Sequence, residues 1–590
     1  MDTKIFLFLF LLFCFSPFLL SVTESCNSVD KEALLHFKSK ITSDPSKLLH
    51  SWTDSTDCCT SWKGIRCDSS GRVINVTRSG FVSDNDFFEN TYMVGTLSSF
   101  LGNLSSLQFL DLGNLKELKG SIPEEFGKLS QLVYLFLDSN KLTGSIPSTI
   151  GNLVLLSRFD LHGNSFSGSL SSGIGNLRNL EYLDLSENQI TGKIPGSIGE
   201  LSELKLLYLN QNRLTGSIPS SISGLKSMRF CRLSENKLTG KLPSSIGQLS
   251  KIERLILENN KLTGKIPATV GHLKTLTDIF FSNNNFTGKI PSSFGNLQNL
   301  QTLDLSSNHL SRKLPPQLAK LQRLQNLYLS FNPLGLVKIP SWFLKLKLFR
   351  VMLAKTGIEG ELPDWLASTS ISILDLSSNG LTGKLPHWIG NMTSLSFLNL
   401  SNNGFYSAIP VEFKNLSLLM DLDLHSNELT GDINHIFSKQ VQEPLGHFNT
   451  IDLSNNLFYG SIDDSIGLRP AMSSIHSLIL SNNNLGGSIP NSITKLSELY
   501  TLKLVNNGLV GKIPEELGGL QKLFTILLSR NRLSGAIPEK VLNLKELKEF
   551  DVSNNRLRGR IPAHKAVIPA SAFKNNPGLC GAPLLPCKHF

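Results

Sequence analysis

The sequence has few charged residues, few cysteines and few aromatic residues. Of its 590 residues, 18% are charged and 8% are aromatic, and there are eight cysteines and five tryptophans. Hydrophobic residues nevertheless reach 40%, which excludes a disordered polyelectrolyte and indicates a folded chain. Because one hydrophobic core stops growing at ~250 to 300 residues, the chain is expected to form several domains or an open-ended array.

Enzyme motifs are absent as well. The sequence contains no GK followed by Ser or Thr, no HExxH, no GxSxG and no kinase signature. His162, His309 and His425 fall far apart in the chain and are expected to be solvated at the surface. The adjacent residues Cys58 and Cys59 come without a CxxC or a His pair, which disfavours zinc. We therefore predict a protein that is not an enzyme and that needs no metal or cofactor.

The charge is unbalanced in one direction. The formal net charge is +10, so weak attraction to polyanions such as acidic polysaccharide, anionic lipid or nucleic acid is expected. The basic residues do not form a contiguous stripe in the sequence, and nucleic acid is therefore not expected as a partner. Charge alone identifies no ligand.

Residues 1–25 are typical of a secretory signal peptide. Lys4 precedes an almost wholly apolar run at 5–22, and small and polar residues follow up to Ser25. An uncleaved signal anchor is the alternative, because the run approaches the length of a membrane span. No later segment is comparable, and residues 574–590 hold no apolar tail. We expect an exported, soluble mature chain that is monomeric in isolation.

The cysteines agree with an oxidising compartment. Cys14 leaves with the predicted signal peptide, and six of the remaining seven lie in two groups near the ends of the mature chain, where a stack of repeats needs covalent closure. Cys231 stands alone at a position that leucine occupies in other repeats. We expect it to be a buried free thiol.

A repeat of 24 residues dominates the sequence. The regular run of asparagines is closed by Thr356 and consists of Asn140, Asn164, Asn188, Asn212, Asn236, Asn260, Asn284, Asn308 and Asn332. The register then continues at Asn379, Asn403, Asn427, Asn456, Asn483, Asn507, Asn531 and Asn555. Together with an irregular first unit at 107–123, these positions predict about nineteen units.

One unit, LEYLDLSENQITGKIP at 180–195, predicts a short strand. Leu183 and Leu185 point into a shared core, while Tyr182, Asp184 and Ser186 alternate outward, as in a strand with one face in water. No unit can cover its own apolar face. Neighbouring units must therefore stack into a solenoid.

The turn of the same unit has its own signals. The Asn188 amide is placed to hydrogen-bond backbone groups of adjacent coils, and leaving such a buried bond unmade costs ~1 to 3 kcal/mol. Gly192 permits a backbone conformation closed to other residues, and Pro195 removes a donor from the segment that follows. A ladder of such asparagines is predicted to fix the stacking.

The motif LxxLxLxxNxLxGxIP with its 24-residue step resembles the plant extracellular leucine-rich repeat. Both ends are similar to the caps of that family: DKEALLHFK with Trp52, Trp62 and the first four cysteines of the mature chain, and NNPGLCGAPLLPC at 575–587. The resemblance extends to receptor-like protein ectodomains, polygalacturonase inhibitors and secreted leucine-rich proteins of the DNA-damage-toleration type. It implies the disulfides Cys26–Cys58, Cys59–Cys67 and Cys580–Cys587.

The resemblance implies an α/β solenoid with a parallel sheet on its concave face and with disulfide caps. The expected divisions are a signal peptide at 1–25, an amino-terminal cap with an irregular first repeat at 26–94, about nineteen repeats at 95–562, and a carboxy-terminal cap at 563–590. An insertion at 434–447, NHIFSKQVQEPLGH, is either a reduced form of the island that interrupts receptor relatives or a tolerated bulged loop.

Outward positions of the strands supply the candidate ligand surface, because stacked strands align equivalent side chains into columns. Aspartate is the commonest residue in the column between the two core leucines, and aromatic and basic residues interrupt it. Exposed aromatic residues with arginine are typical interface anchors, although they also fill sheet faces that bind nothing. The predicted site is Tyr182, Tyr208, Phe230, Arg232, Arg254, Ile256 and Phe280.

Six sequons are compatible with export. Asn399 lies in the predicted ligand column, so a glycan there would direct ligand binding towards the Tyr208 to Phe280 end of the face. The predicted glycosylation sites are Asn75, Asn103, Asn285, Asn391, Asn399 and Asn415.

Three functions remain open. The first is a secreted recognition protein of plant defence or development, which binds a peptide or protein and acts with a membrane receptor kinase or co-receptor. The second is an inhibitor of a microbial wall-degrading enzyme, as in the polygalacturonase inhibitors. The third is a cell-wall scaffold, in which the positive charge holds an acidic wall polysaccharide.

Overall fold

The computed structural model describes residues 25–80 and 91–587. The predicted signal peptide, apart from Ser25, lies outside the described residues. The chain divides into two compact units with the boundary between Met228 and Arg229, here called unit 1 and unit 2. Over the described ranges, no helix combines the length and the apolar character that a membrane crossing requires.

Most coils contribute a three-residue strand to a parallel sheet, then a turn, a second short strand on the flank, and a 3₁₀ helix. The strands are in register with their equivalents in the next coil, as where Leu183 pairs with Leu207. Their central residues and the leucine two positions later are fully buried, as Leu183 and Leu185 are. The predicted leucine-rich-repeat solenoid with a parallel sheet and disulfide caps is confirmed.

The main-sheet strands of unit 1 are Ile65–Cys67, Val73–Thr77, Phe109–Asp111, Tyr134–Phe136, Arg158–Asp160, Tyr182–Asp184 and Leu206–Tyr208. The first two are antiparallel. The flank strands of unit 1 are Ile41–Ser43, Val94–Thr96, Leu118–Gly120, Lys141–Ser145, Ser165–Ser167 and Thr215–Gly216. Its α-helices are Ser28–Ser39 and Cys58–Ser61, and its 3₁₀ helices are Ser99–Asn103, Glu124–Lys128, Ser148–Asn152, Ser172–Asn176, Gly196–Glu200 and Ser220–Gly224.

The main-sheet strands of unit 2 are Phe230–Arg232, Arg254–Ile256, Asp278–Phe280, Thr302–Asp304, Asn326–Tyr328, Arg350–Met352, Ile373–Asp375, Phe397–Asn399, Asp421–Asp423, Thr450–Asp452, Ser477–Ile479, Thr501–Lys503, Thr525–Leu527 and Glu549–Asp551. Its flank strands are Lys237–Lys241, Lys261–Lys265, Asn285–Gly288, His309–Leu310, Glu359–Gly360, Gly380–Lys384, Gly404–Ala408, Glu428–Thr430, Tyr459–Ser461, Asn484–Gly486, Ser534–Gly535, Arg556–Arg560 and Gly578–Cys580.

The α-helices of unit 2 are Asn434–Phe437 and Glu539–Leu542. Its 3₁₀ helices are Ser244–Gln248, Ala268–His272, Ser292–Asn296, Pro316–Lys320, Ser341–Lys345, Asp364–Ser368, His387–Asn391, Val411–Asn415, Ile466–Leu468, Pro470–Met472, Asn491–Lys495, Glu515–Gly519 and Ala570–Phe573. A proline precedes most of these short helices, because its fixed φ suits a helix start and its missing N–H would have no partner there.

The amino-terminal cap closes the first coil with a helix and a buried ion pair. Asn27 caps the helix Ser28–Ser39 by accepting from two backbone N–H groups. Asp30 is fully buried, and it receives the Arg72 guanidinium at 2.8 and 3.0 Å and the Val73 N–H at 2.8 Å. Because each carboxylate oxygen has a partner, this buried charge is compensated.

Three disulfides join Cys26 to Cys58, Cys59 to Cys67 and Cys580 to Cys587. These are the pairs that the family resemblance implies. Cys231 is a free cysteine and is buried, as expected for a residue in a leucine position, and burial raises the pKa of its thiol to about 12. It behaves as part of the core.

The asparagine ladder is present and is hydrogen-bonded as predicted. Asn284 donates to the carbonyls of Leu257, Phe281 and Ser282 at 2.9 to 3.2 Å, and its oxygen accepts from the Leu262 N–H at 3.0 Å. One side chain therefore links its own turn to the preceding coil both as a hydrogen-bond donor and as an acceptor. Such buried bonds are costly to leave unmade.

Thr356, which replaces an asparagine, keeps part of this pattern. Its hydroxyl donates to the Leu353 carbonyl at 2.8 Å. The oxygen of Asn379 in the next coil accepts from three successive N–H groups, those of Thr356, Gly357 and Ile358. The neighbouring rung thus satisfies the donors of this coil.

The outward alternation predicted for the strand of coil 180–195 is partly wrong. Asp184 and Ser186 are buried, with 9% and 6% exposure. Asp184 accepts from the Ser186 hydroxyl at 2.6 Å and from the Ser186 N–H at 2.9 Å. This local hydrogen bonding satisfies both side chains. They therefore remain buried at the end of the strand and do not extend into solvent.

The insertion at 434–447 is packed against the coils. It begins with the helix Asn434–Phe437, in which Phe437 is fully buried. Lys439 is also buried: its ammonium donates to the Gly446 carbonyl and lies 4.7 Å from the centre of the Phe448 ring. Burial lowers the pKa of Lys439 to about 8. The segment is therefore held as a compact loop, whichever of its two origins applies.

The asparagine ladder predicts that two asparagines of neighbouring positions, one in the ladder and one outside it, differ strongly in their contribution to the free energy of unfolding. Replacing Asn284 by alanine removes four buried hydrogen bonds and is expected to lower the free energy of unfolding by about 3 kcal/mol. Replacing the exposed Asn296 by alanine is the matched control, with an expected change below ~0.5 kcal/mol. Thermal and urea unfolding of both variants provide the measurement, and equal losses would contradict the role of the ladder.

Candidate functional site

All seven predicted ligand-binding residues lie on main-sheet strands and are half-buried. They form two groups, one in each unit. Tyr182 and Tyr208 belong to unit 1, and the other five belong to unit 2, which begins at Arg229. Each group has its own geometry.

The group in unit 2 combines an aromatic ring with a guanidinium. Phe230 pairs in register with Arg254, whose guanidinium carbon lies 6.0 Å from the centre of the Phe230 ring. Arg254 also forms an ion pair with Asp278 at 3.3 Å. These contacts hold the arginine over the ring, where its charge is attracted by the π-face. The arrangement presents a preformed amphipathic surface.

The second column of unit 2 is aliphatic and aromatic. Arg232, Ile256 and Phe280 follow one another in register on adjacent strands. The Arg232 guanidinium donates to the Ser234 hydroxyl at 3.3 Å, so part of its hydrogen-bonding capacity is already used. The three side chains form a continuous row beside the Phe230–Arg254 pair.

The group in unit 1 is more strongly engaged within the protein. The rings of Tyr182 and Tyr208 lie 6.0 Å apart. The Tyr182 hydroxyl faces the carboxylates of Asp160 and Asp184 at 3.3 and 3.1 Å. Burial and these two carboxylates raise the pKa of Tyr182. Tyr182 is thus a hydrogen-bond donor to an acidic surface as well as an apolar contact.

His162 was expected to be solvated, and this expectation is wrong. Its Nδ1 lies 2.8 Å from a carboxylate oxygen of Asp160, and about a third of its side chain is exposed. The hydrogen bond to Asp160 raises the pKa of His162 to about 9. Burial and the neighbouring charges, chiefly that of Asp160, raise the pKa of Asp138 to about 6.

The same pair recurs in unit 2. His425 Nδ1 lies 2.6 Å from Asp423, and this hydrogen bond raises the pKa of His425. With one more aspartate each, the groups Asp160–His162–Asp184 and Asp423–His425–Asp452 hold three ligand atoms within 4.8 Å of one another. This spacing would suit the ligands of a metal ion. In both groups, however, the imidazole is already paired with a carboxylate, so each group forms an ion pair on the sheet face.

Two aromatic clusters lie outside the predicted ligand-binding residues. In unit 1, Phe109 lies 5.4 Å from the Tyr134 ring and 5.7 Å from the Phe136 ring. In unit 2, Tyr500 and Phe524 stack at 4.9 Å. Their positions in the sequence indicate these contacts, because the rings lie on or directly before the main-sheet strands of successive coils.

Stacking of the coils aligns basic residues that are far apart in the sequence. Five exposed lysines occupy one equivalent flank position in consecutive coils of unit 2: Lys241, Lys265, Lys289, Lys313 and Lys338. They are separated by 24 or 25 residues in the sequence. Only the stacking of coils makes them neighbours.

The predicted glycosylation sites differ in accessibility. Asn75 and Asn399 are half-buried on main-sheet strands, and each side-chain oxygen accepts a hydrogen bond from the hydroxyl of its own sequon, Thr77 at 2.7 Å or Ser401 at 2.7 Å. The other four are exposed: Asn103, Asn285, Asn391 and Asn415. Glycosylation of all six remains a prediction.

Family comparisons agree with the repeat structure. Residues 27–68 match the leucine rich repeat N-terminal domain. Residues 220–332 match a leucine-rich repeat region, and leucine rich repeats are matched at 155–214, 178–238, 131–153, 323–346, 370–392, 394–416 and 474–496.

Two curated relatives are similar to short stretches of the chain. The DNA damage-repair/toleration protein DRT100 of Arabidopsis thaliana is 36% identical over 21% of this chain and 34% of its own length. The polygalacturonase inhibitor of Vitis vinifera is 33% identical over 19% of this chain and 30% of its own length. The matches thus span about a third of these relatives.

Two solved structures are similar over most of the chain. The ectodomain of the Arabidopsis thaliana receptor kinase GASSHO1/SCHENGEN3, in complex with CASPARIAN STRIP INTEGRITY FACTOR 2, has a TM-score of 0.79 and 32% identity, and the match covers 90% of this chain and 62% of that one. The Arabidopsis receptor kinase HAESA, in complex with the peptide hormone IDA and the co-receptor SERK1, has a TM-score of 0.60 and 32% identity, with 94% and 98% covered.

The His162–Asp160 pair predicts a pH-dependent stability. Because the folded-state pKa of His162 is raised to about 9, the pair stabilises the fold fully below the unfolded pKa of ~6.5 and loses this effect as pH rises through about 9. Replacing His162 by glutamine should therefore cost about 1 kcal/mol at pH 5.5, after allowance for solvent screening, and nothing above pH 9.5.

Thermal unfolding of wild type and variant across this pH range measures the difference. Replacing the exposed His50 by glutamine is the matched control in the same unit, with no pH-dependent difference expected. A His162 variant whose deficit is the same at pH 5.5 and pH 9.5 would show that the ion pair contributes nothing.

Proposed function

Since the chain belongs to the plant extracellular leucine-rich repeat proteins, we propose that it is a secreted, non-catalytic recognition protein whose main-sheet face binds a peptide or protein. The observation that carries this proposal is the row of half-buried aromatic and basic side chains on adjacent strands of unit 2. Phe230 and Arg254 are held against each other before any ligand arrives. Pre-ordered aromatic and arginine side chains are typical anchors of interfaces.

The solved structures support a peptide ligand and a membrane partner. The similar ectodomains are described as complexes with CASPARIAN STRIP INTEGRITY FACTOR 2, or with a peptide hormone and a co-receptor. We infer that the present protein likewise binds its ligand in the extracellular space or cell wall, and acts in defence or developmental signalling with a receptor kinase or co-receptor. The three disulfides suit that oxidising compartment.

An inhibitor of a microbial wall-degrading enzyme is the second candidate. The similarity to the grape polygalacturonase inhibitor favours it. The two functions differ in their assay: an inhibitor should reduce the activity of a secreted fungal polygalacturonase at stoichiometric concentration, whereas a peptide-recognition protein should leave that activity unchanged.

The site is tested with a triple variant in which Phe230, Arg232 and Phe280 are replaced by alanine. The mature protein is used to capture partners from cell-wall extracts, and the captured proteins and peptides are identified by mass spectrometry. Removing three anchors should reduce recovery of specific partners at least ~tenfold, because a few anchor residues carry most of the binding energy. Retention of the melting temperature within a few degrees shows that the fold is intact.

A matched control removes two exposed tyrosines and an exposed arginine from the flank strands and turns of unit 2. The control residues are Tyr406, Tyr459 and Arg532. This variant should recover the same partners as wild type. If the sheet-face triple variant recovers partners as well as wild type does, the proposed binding site is wrong. A stoichiometric loss of polygalacturonase activity would favour the second function, an inhibitor of that enzyme.

A further inference from the structure

The lysine row on the flank of unit 2 forms a second surface, separate from the main-sheet strands that carry the proposed ligand site. Lys241 and Lys265 end flank strands, and the other three lysines occupy the equivalent position of their coils, directly before the Ile-Pro or Leu-Pro pair. All five are exposed, and this lysine ladder consists of Lys241, Lys265, Lys289, Lys313 and Lys338. The ladder thus places one cation on each of five consecutive coils.

The spacing of the ladder follows from the register of the flank sheet. Lys241 pairs with Thr263 on the next strand, so Lys265 lies one strand across and two residues further along. With strands ~4.8 Å apart and residues ~3.3 Å apart, consecutive rungs are about 8 Å apart. This is a sparse linear array of charge, and it contrasts with duplex DNA, which carries a charge about every 1.7 Å of its axis.

A glycine in the next coil lies against the stems of the first two ladder lysines, Lys241 and Lys265. A Cβ atom on Gly264 would lie 2.9 Å from Cγ of Lys241, and one on Gly288 would lie 3.1 Å from Cγ of Lys265. These two stems therefore lie along the flank, against the following turn. This packing reduces the side-chain entropy that Lys241 and Lys265 lose when they bind a ligand.

Within the part of the chain that the structure describes, the ladder lysines have no carboxylate partners. Over residues 25–80 and 91–587, the lysines that form ion pairs are Lys31, Lys141, Lys205, Lys522 and Lys540. An uncompensated row of like charges repels itself. It is stabilised when an external polyanion neutralises it.

A strained residue adds a further cation to the same row. In the first coils of the ladder the turn residue is glycine with φ near 77°, as at Gly264 and Gly288, but in the fourth coil it is Arg312, also with φ 77°. This conformation is unfavourable for a residue with a side chain. Its exposed guanidinium stands directly before Lys313, so the strain accompanies an added charge at this rung, as is typical of functional positions.

The row leads into a cleft lined by tryptophans. Lys313 and Lys338 line an open cleft of about 820 Å³ together with Trp342 and Trp365. The edge of Trp342 packs against the Phe343 ring, with ring centres 4.7 Å apart. Flat, fixed indole rings offer an apolar face to a flat apolar ligand.

The tryptophans belong to a column of their own. Three of the five tryptophans in the chain are the second residue after the proline that precedes a 3₁₀ helix, in three consecutive coils: Trp342, Trp365 and Trp388. Trp388 is fixed by donating from Nε1 to Asp364 at 3.1 Å. The earlier coils of unit 2 have Ser, Thr or Gln at this position.

The cleft also marks where the positive row ends. The next residue at the ladder position is Glu361, which lines the same cleft, as does Asp364. Carboxylates there repel an anionic group but accept hydrogen bonds from hydroxyl groups. The ligand must therefore be acidic along the ladder and must carry hydroxyl groups and flat apolar faces at the cleft.

We propose that this flank of unit 2 docks a linear acidic polysaccharide, a chain of uronic acid sugars. Its carboxylates lie along the lysine ladder and Arg312. Its sugar rings stack on Trp342 and Trp365, and their hydroxyl groups donate to Glu361 and Asp364. The surface does not depend on the proposed peptide site.

The test measures binding of the secreted mature protein to polygalacturonate by calorimetry. The exposed sequon at Asn285 lies on the strand that precedes Lys289, where a glycan would cover the ladder, so every protein carries Asn285→Gln. The ladder variant K241Q/K265Q/K289Q is expected to bind ~tenfold more weakly and with a smaller dependence on salt, because it removes three of the paired charges.

The matched control K251Q/K274Q/K320Q removes the same charge from exposed lysines outside the ladder and should change the affinity less than ~twofold. Polygalacturonate whose carboxyl groups are methyl-esterified should bind at least as weakly as the ladder variant binds the acid form. The variant W342A/W365A should bind ~threefold more weakly with an unchanged salt dependence, since it removes stacking and no charge.

Equal losses in the ladder and control variants would overturn the proposal, because binding would then follow net charge alone. Binding of duplex DNA or of phosphatidylserine vesicles as tightly as polygalacturonate, with the same dependence on the ladder, would replace it by a general polyanion surface. The sheet-face triple variant should bind polygalacturonate as wild type does, so the two proposals can fail independently.

Discussion

The asparagine ladder is the interaction on which the rest of the structure depends. A typical rung ties three carbonyls and one N–H of two adjacent coils through one buried amide, as at Asn284. Because the amide satisfies backbone groups that lie beyond the reach of the sheet, the coils stack at one angle and in one register. The leucine core then closes between coils that are already aligned.

Because the core and the asparagine ladder determine the fold, the outward side chains are not constrained by it. The core leucines and the ladder fix the backbone, so residues such as Phe230 on the sheet face and Lys241 on the flank contribute little to folding and can vary with function. The sheet face collects aromatic, basic and aspartate–histidine groups, and the flank collects lysine and tryptophan. A stack of this kind presents independent columns in parallel, one for each outward position of the repeat.

The sequence predicted the repeat, its strands, the ladder and the burial of Cys231, because each depends on one residue type at a fixed position. It did not predict the left-handed residue before each ladder asparagine, such as Glu187 or Phe331 with φ 54° and 57°. Many residue types occupy this position, since hydrogen bonds to the next coil impose the conformation. The burial of Asp184, the His162 pair and the lysine row likewise arise only when coils are superposed.

The disulfides have a consequence for biosynthesis. Their partners are separated by 32, 8 and 7 residues, whereas the remaining thiol of Cys231 is distant from both groups in the chain. Cross-linking can thus be completed by short-range encounters at each terminus, without waiting for the long middle of the polypeptide. Once its coil has closed, the Cys231 thiol is withdrawn from exchange, so an oxidising compartment can form the three disulfides of residues 25–587 without mispairing Cys231.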